Sequence, residues 1–456
     1  MSNAVRRTPW SAKTLTATML SAAVFGWSAA AGAAAPVVAA VAATSPAAAP
    51  SSGPGRPLSL VQAQRLLIEG NPQLQASRLA LEAARADVKT ALEAPNPQFS
   101  WNSTSMNFHD GLGRGAPWDK RVDSIFRIDQ QIERGNKREL RGKVATKEAD
   151  AVAADVEDTS RTSRLSVAGE YYDLKAAQEA LTIANDLVML QRQSLDAANL
   201  RLHAGSIADV DVARLQVEVA RAEADLADAQ TAHRAAQIAL AQLLGLPTDT
   251  AQFEASDDWP AVSVRFTAES TVDQRPDVRA AQERVGKAES AVALAKSQLT
   301  HDVTIGAQYE RHPQPDIGPN TWGIGFSVPL FLRNHYEGEM ARAAADRRSA
   351  QQQLQQTRQV AQADRDLAVA QLDGAAQRVR KFQDEVVTQA RKASDDEEYA
   401  YSRGALGLTD LLDARRALQA VLLDAVAAHA GYAKALEAWR AATNTGTELP
   451  AAAPAN

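Results

Sequence analysis

Carboxylates are the side chains of this sequence whose type and spacing most directly suggest chemistry. Asp410 and Asp413 follow a glycine-containing break in a helical pattern, and an acidic run occupies residues 395–398 before it. Carboxylates brought close together attract cations and raise one another's pKa. The same residues also fit a structural role, because aspartate caps helices and a charged run is ordinarily a solvated helix face. Both roles are open at this point, and they can coexist.

The sequence contains no pattern for catalysis or metal binding. The absence of cysteine excludes disulfides, thiolate metal sites and thiol catalysis. No two of the seven histidines lie within four residues of each other, so no helical pair of metal ligands exists. The formal charge of −6 disfavours nucleic acid as a partner. We therefore expect a protein that is not an enzyme and has no cofactor, no bound metal and no nucleic-acid partner.

The first residues of the chain resemble an export signal. Arg6, Arg7 and Lys13 precede an apolar stretch at 15–27, and small residues suited to cleavage follow. We expect a signal peptide at 1–43, with a disordered Ala/Pro leader as the alternative, and a Pro/Ala linker at 44–57. No later stretch reaches the ~18 apolar residues of a membrane-spanning helix, so membrane insertion would be by strands.

Two long helical hairpins organise the rest of the chain. Residues 137–203 and 336–402 contain no proline, and each stretch would be roughly 100 Å long as a helix. Each is followed by a glycine, Gly205 or Gly404, and then by a second helical stretch, which predicts the tip of a hairpin. Asp410 is well placed to cap the returning helix, with Asp413 in its first turn.

The second tip repeats the first after roughly 200 residues, which indicates two tandem repeats. We expect the first repeat at 58–245, an equatorial connection at 246–274, the second repeat at 275–442 and a disordered tail at 443–456. Each repeat also contains two stretches in which apolar and polar residues alternate. These stretches predict strands at about 97–108 and 122–132 in the first repeat, and 301–311 and 321–331 in the second.

The predicted strands place a demand on assembly. Strands of about 10 residues suit a tilted span of the membrane's hydrocarbon core. Four of them cannot close a barrel, and unpaired strand edges are costly in lipid. If these are membrane strands, several copies must share one barrel, and three copies would supply twelve strands.

Together these features resemble the TolC-type outer membrane factors over residues 58–442. Two segments are similar to the branch that serves heavy-metal exporters of the cobalt–zinc–cadmium kind, namely QIERGNKR at 131–138 and VPLFLRN at 328–334. Asn136 stands where that branch commonly has a second glycine, and Tyr336-Glu337 replaces its commoner Gln-Gly. The strand-to-helix corner residues that carry the likeness are Gly135, Lys137, Arg138, Pro329, Arg333 and Asn334.

The resemblance implies an α+β membrane protein that forms a homotrimer. Three chains would share a twelve-stranded β-barrel in the outer membrane of a Gram-negative bacterium, in contact with its lipid. Their long coiled-coil helices would form an α-helical tunnel across the periplasm. The implied partners are a periplasmic adaptor (membrane fusion) protein and an inner-membrane pump of the RND type.

The resemblance also implies roles for the tips. Asp410 and Asp413 match positions of an acidic ring at the periplasmic entrance. Tyr401 matches a residue that helps to hold the tips shut, although Leu406 replaces its usual arginine partner. The residues expected to dock the adaptor are Gly205, Ser206, Asp211, Tyr401, Arg403, Gly404 and Leu406.

The function expected from the sequence is therefore an exit duct for heavy-metal cations. An outer membrane duct for drugs or organic solutes, or for type I secretion, is the alternative within the family. A soluble periplasmic coiled-coil scaffold is the alternative from another class.

Overall fold

The computed structural model describes residues 56–104, 122–248, 252–262, 272–312 and 319–444, and these residues are mostly helical. The predicted signal peptide, most of the predicted linker and most of the predicted tail lie outside the described residues. The N-terminal half contains β1 (Arg56–Leu58), α1 (Leu60–Gly70), α2 (Pro72–Leu92), β2 (Gln98–Thr104), β3 (Asp123–Ile132), α3 (Lys137–His203) and α4 (Asp209–Leu244). The C-terminal half contains β4 (Phe253–Ala255), a 3₁₀ turn (Val272–Gln274), α5 (Pro276–Ser297), β5 (Val303–Arg311), β6 (Thr321–Ser327), α6 (Glu337–Lys381), a π-helical segment (Phe382–Val386), α7 (Val387–Ser402) and α8 (Leu408–Ala442).

Two elements differ from the sequence-based expectation. The fourth strand ends at Ser327 rather than at 331, because Pro329 has no N–H to continue the ladder. The long helix predicted over 336–402 begins at Glu337 and is interrupted by the π-helical segment Phe382–Val386. A π-helical turn has no proline or glycine signature, so the sequence pattern gave no indication of it.

The four longer strands form one antiparallel sheet in the order β2-β3-β5-β6. The two central strands are β3 and β5, whose pairing runs from Ser124–Arg311 to Ile132–Val303. Among the described residues β2 and β6 each pair on one side only, so both are edge strands.

The sheet has one apolar face and one polar face. Trp101, Phe126, Tyr309 and Trp322 lie in register across the four strands, with neighbouring ring centroids 6.3, 6.5 and 4.7 Å apart. Ile324 on the same face is 89% exposed. The opposite face carries polar residues such as Arg127, whose side chain contacts Asp129 and Gln308.

The long helices are tied together at the level of the short strands. β1 pairs in parallel with β4, and beside this pair Leu67, Tyr171 and Leu240 are buried in one cluster. A second cluster joins α6 to α8 through Leu372, Val379 and Tyr432. Among the described residues, no helix has both the length and the apolar character needed to cross a membrane.

Candidate functional sites at the helical tips and the strand-to-helix corners

The two helical tips have the same backbone geometry. Gly205 and Gly404 have φ values of 72° and 75°. At the first tip the Ser206 N–H donates to Arg201 O at 2.9 Å, and at the second the Ala405 N–H donates to Ala400 O at 2.9 Å. A Cβ on either glycine would meet nothing within 4 Å. Glycine is therefore needed at both tips for the left-handed backbone and not for close packing.

The prediction that Asp410 caps the returning helix and that Asp413 lies in its first turn is partly wrong. Helix α8 has Gly407 as its N-cap, so Asp410 is its third residue, and its Oδ2 accepts from the Gly407 N–H at 3.2 Å. Asp413 therefore lies in the second turn of α8. Asp211 likewise is the third residue of α4 and makes no capping bond. The sequence pattern places helix starts only to within a few residues, which explains the shift.

Asp410 and Asp413 are both exposed, but they differ in their partners. Asp413 forms an ion pair with Arg416 at 2.8 Å, whereas Asp410 contacts the backbone N–H of Gly407. Within the acidic run, Glu398 is paired with Arg415 at 3.3 Å. Asp410 thus has no arginine partner within the described part of the chain, in contrast to Asp413 and Glu398.

The two hairpins pack against each other at the tips. The apolar contact consists of Ala198, Val212 and Leu215 from the first hairpin and Leu408 and Leu412 from the second. Ile207 and Tyr401 are partly buried against this cluster. Burial of these apolar side chains stabilises the contact between the hairpins, but the hydrophobic effect is non-directional and does not fix their relative orientation.

Arginines of α8 add polar contacts between the hairpins. Arg416 reaches the buried Glu218 of α4, with Nη2 2.5 Å from Oε1. Arg415 is also buried and donates from Nη1 to Ser194 Oγ of α3 at 2.8 Å. Because Glu218 and Arg415 are withdrawn from water, loss of a partner is more costly here than at an exposed pair. We call Arg415, Arg416, Glu218 and Ser194 the cross-hairpin contacts.

Tyr401 also takes part in holding the hairpins together, through a residue that the sequence did not indicate. The guanidinium of Arg201 lies 5.7 Å from the centroid of the Tyr401 ring, a cation–π contact between α3 and α7. Leu406, which stands where the family usually has the arginine partner of this tyrosine, is exposed. Arg403 instead lies over the ring of Tyr399 at 5.2 Å.

The first strand-to-helix corner is organised by an ion pair between a buried lysine and a half-buried aspartate. Lys137, the first residue of α3, is buried, and its Nζ lies 2.8 Å from Asp302 Oδ1. Asp302 also accepts from the Arg134 N–H at 3.0 Å and from Gln131 Nε2 at 3.2 Å. Burial on its own raises the pKa of Asp302, but these hydrogen bonds outweigh it and hold the pKa below its usual value.

The backbone of both corners is left-handed just before the long helix. Asn136 and Tyr336 each have φ of 57°, and Gly135 has φ of 71°. A Cβ on Gly135 would lie 2.7 Å from Thr300 Cβ, so glycine is required there for space as well. At the second corner Asn334 Oδ1 accepts from the Tyr336 N–H at 2.9 Å. Pro329, Arg138 and Arg333 are exposed.

Sequence reasoning did not point to five of these residues, namely Glu218, Arg201, Arg415, Arg416 and Asp302. Their partners are far away in the chain, and an arginine on a predicted helix surface gives no sign of which helix it will contact. The described residues contain no group of three or more histidines and carboxylates arranged to hold a metal ion.

The chain matches the outer membrane efflux protein family over residues 64–246 and 268–445. It is 25% identical over 371 residues to the cobalt-zinc-cadmium resistance protein CzcC of Cupriavidus metallidurans, covering 79% of this chain and 84% of that one. It is 27% identical over 364 residues to the pyoverdine export outer membrane protein OpmQ of Pseudomonas putida, covering 75% and 76% of the two chains.

A membrane protein of known structure from Pseudomonas aeruginosa has the same fold. The TM-score is 0.73 at 16% sequence identity, over 84% of this chain and 92% of that one. The family match leaves out residues 1–63, 247–267 and 446–456. This match confirms the predicted outer membrane location, and the chain belongs to the outer membrane efflux protein family.

Proposed function

We propose that this chain forms the outer membrane exit duct of a tripartite efflux system that exports heavy-metal cations. Three copies share a twelve-stranded barrel, with β6 of one copy pairing to β2 of the next. The observation that carries this proposal is a four-stranded sheet with an exposed apolar face and two edges that are unpaired within the described residues. Such a sheet is stable in lipid only when its edges are paired.

The apolar face of the sheet also disfavours the alternative of a soluble periplasmic scaffold. Trp322 and Phe326 are each 81% exposed beside Ile324, a contiguous apolar surface of the kind that marks a membrane or protein contact. Substrate crosses such a duct passively, while an inner-membrane RND pump supplies the energy. A periplasmic adaptor meets the tips around Gly205, Ser206, Asp211, Arg403 and Leu406.

The cation specificity of the proposal is supported by the likeness to CzcC. The similar likeness to OpmQ supports export of organic solutes as the second candidate. We carry the metal proposal first because the corner sequence at 131–138 resembles the heavy-metal branch.

Deletion of the gene in its host tests the substrate. The expected result is hypersensitivity to one or more of zinc, cobalt, cadmium, nickel and copper in graded growth assays, reversed by the wild-type gene. Sensitivity to a drug panel should be unchanged. Drug sensitivity with unaltered metal tolerance would overturn the metal assignment and favour the organic-solute duct.

In a trimer Asp410 and Asp413 would form an acidic ring at the entrance of the tunnel. Replacing both with alanine should weaken cation preference, because a narrow entrance lined by carboxylates concentrates cations. The measurement is the reversal potential of single channels in a salt gradient. We expect Asp410→Asn alone to give most of the shift, since Asp413 is already paired with Arg416. An unchanged reversal potential in the double variant counts against the ring.

A further inference from the structure

The two strand-to-helix corners lie at the same end of the sheet. Ile132, the last residue of β3, pairs with Val303, and Ser327, the last residue of β6, pairs with Thr304. The segments that follow these strands therefore leave the sheet side by side. If the apolar face lies in lipid, as the proposed function requires, both corners reach the membrane surface together.

The paired part of β6 is too short to cover the apolar layer. Its 7 residues extend ~23 Å at ~3.3 Å per residue, and a tilt of ~40° reduces this to ~18 Å along the membrane normal, whereas the apolar band of such sheets is ~25 Å tall. Leu330 and Leu332 lie beyond the end of β6, where the Leu332 N–H donates to Leu330 O at 3.0 Å in a tight turn. They are 74% and 80% exposed. Two exposed apolar side chains thus lie between the end of β6 and Arg333, at the end of the sheet where both corners leave it.

Both corners change from apolar to cationic within a few residues. Arg333 directly follows Leu332, and Arg134 lies two residues after the exposed Ile132. Arg138 is the second residue of α3. The side chains of Arg134, Arg138 and Arg333 are exposed and make no ion pair or hydrogen bond within the described part of the chain. Arg141, Lys143 and Lys147, which lie farther along α3, are instead paired with carboxylates.

We propose that these two corners bind anionic phospholipid of the leaflet that faces the long helices. Leu330 and Leu332 insert among the acyl chains, and Arg134, Arg138 and Arg333 contact the headgroup phosphates. An arginine can bind a phosphate in a bidentate manner, through two parallel hydrogen bonds. Each additional cation also strengthens the electrostatic attraction to an anionic membrane surface. The inference rests on the proposed function, because it requires the sheet to lie in a bilayer.

The headgroup contact is tested in the full-length protein reconstituted in phosphatidylcholine with a fraction of phosphatidylglycerol. We expect spin-labelled phosphatidylglycerol to associate more tightly than spin-labelled phosphatidylcholine, by about fivefold for each arginine. The triple variant Arg134→Gln, Arg138→Gln and Arg333→Gln should lose this preference. A matched triple variant, Arg65→Gln, Arg221→Gln and Arg391→Gln, removes exposed arginines without ion pairs on α1, α4 and α7 and should retain it. Equal preference in both triple variants overturns the inference.

The leucines are tested with single cysteines, since the chain has none of its own. A nitroxide at Leu332→Cys should be reached by oxygen dissolved in lipid and shielded from a water-soluble nickel complex. A nitroxide at Ser327→Cys, on the polar face, should show the reverse. Water exposure at Leu332, or spin–spin coupling between copies there, overturns lipid contact, the latter in favour of a second copy of the chain. Failure of the wild-type protein to enter the bilayer would instead overturn the proposed function, and this inference with it.

Discussion

Asp302→Ala is expected to destabilise the protein by about 3–5 kcal/mol, the range for removing one partner of a buried ion pair. Its partner Lys137 is buried at the start of α3, with Nζ 2.8 Å from Asp302 Oδ1. The substitution leaves that ammonium without a counter-charge. It also removes the acceptor of the Arg134 N–H. Thermal unfolding in detergent, followed by circular dichroism and by gel mobility, measures the loss.

Two controls separate this ion pair from general surface charge. Glu139→Gln removes a partner from the exposed Glu139–Lys143 pair and should cost less than about 1 kcal/mol. The double variant Lys137→Met with Asp302→Leu should recover most of the stability, because buried ion pairs are often replaceable by apolar residues. An Asp302→Ala protein as stable as Glu139→Gln would show that the corner does not depend on this pair.

The contribution of Asp302 should depend on pH in one direction. Its pKa is lower in the folded protein than its usual value, so the ionised form is the one that the fold stabilises. The stabilisation is complete above the usual carboxyl pKa of about 4 and is lost as the pH falls through the lowered pKa of the folded state. The difference in stability between wild type and Asp302→Asn should therefore shrink in acid.

Removing the cross-hairpin contacts is expected to open the tunnel entrance. Arg415→Ala with Arg416→Ala abolishes the contacts of α8 with Ser194 and Glu218. Hydrogen bonds that involve a charged group contribute about 1.5–3 kcal/mol each, and every 1.4 kcal/mol shifts a two-state equilibrium about tenfold. A closed state held by such contacts should become a minor state. Single-channel recordings should then show larger and longer openings.

Arg192→Ala is the matched control for this prediction. Arg192 pairs with Glu223 at 2.5 Å, but both residues belong to the first hairpin, so its loss leaves the two hairpins joined. Arg201→Ala, which removes the cation–π contact with Tyr401, should have an intermediate effect of about 0.5–2 kcal/mol. Equal conductance in Arg192→Ala and in the Arg415→Ala, Arg416→Ala variant would show that the cross-hairpin contacts do not hold the entrance closed.

Local chain properties were readable from the sequence. The left-handed glycines at 205 and 404 have φ values of 72° and 75°, because few other residues adopt that backbone. The strands were found from alternation, which follows from the geometry of a strand with one face buried. Pro329 ended β6 earlier than the apolar pattern alone suggested, since the pattern ignores hydrogen bonding.

Contacts between distant residues were not readable. Nothing near Asp302 in sequence indicates that Lys137 will neutralise it, and nothing near Glu218 points to Arg416. The sequence shows that Leu406 replaces the arginine that usually partners Tyr401 in this family. It does not show that Arg201 lies over the Tyr401 ring, because that contact depends on how the helices pack. Tertiary pairing of charges depends on which helix faces meet, and a single sequence does not specify this.

The number of chains in the particle extracted from the outer membrane tests the shared barrel most directly. Native mass measurement of the detergent-solubilised protein should give three chains in one sheet-containing, channel-forming complex, because β2 and β6 each pair on one side only within the described residues and neighbouring copies would pair the other side. A single chain that needs no detergent and shows no channel activity would contradict it.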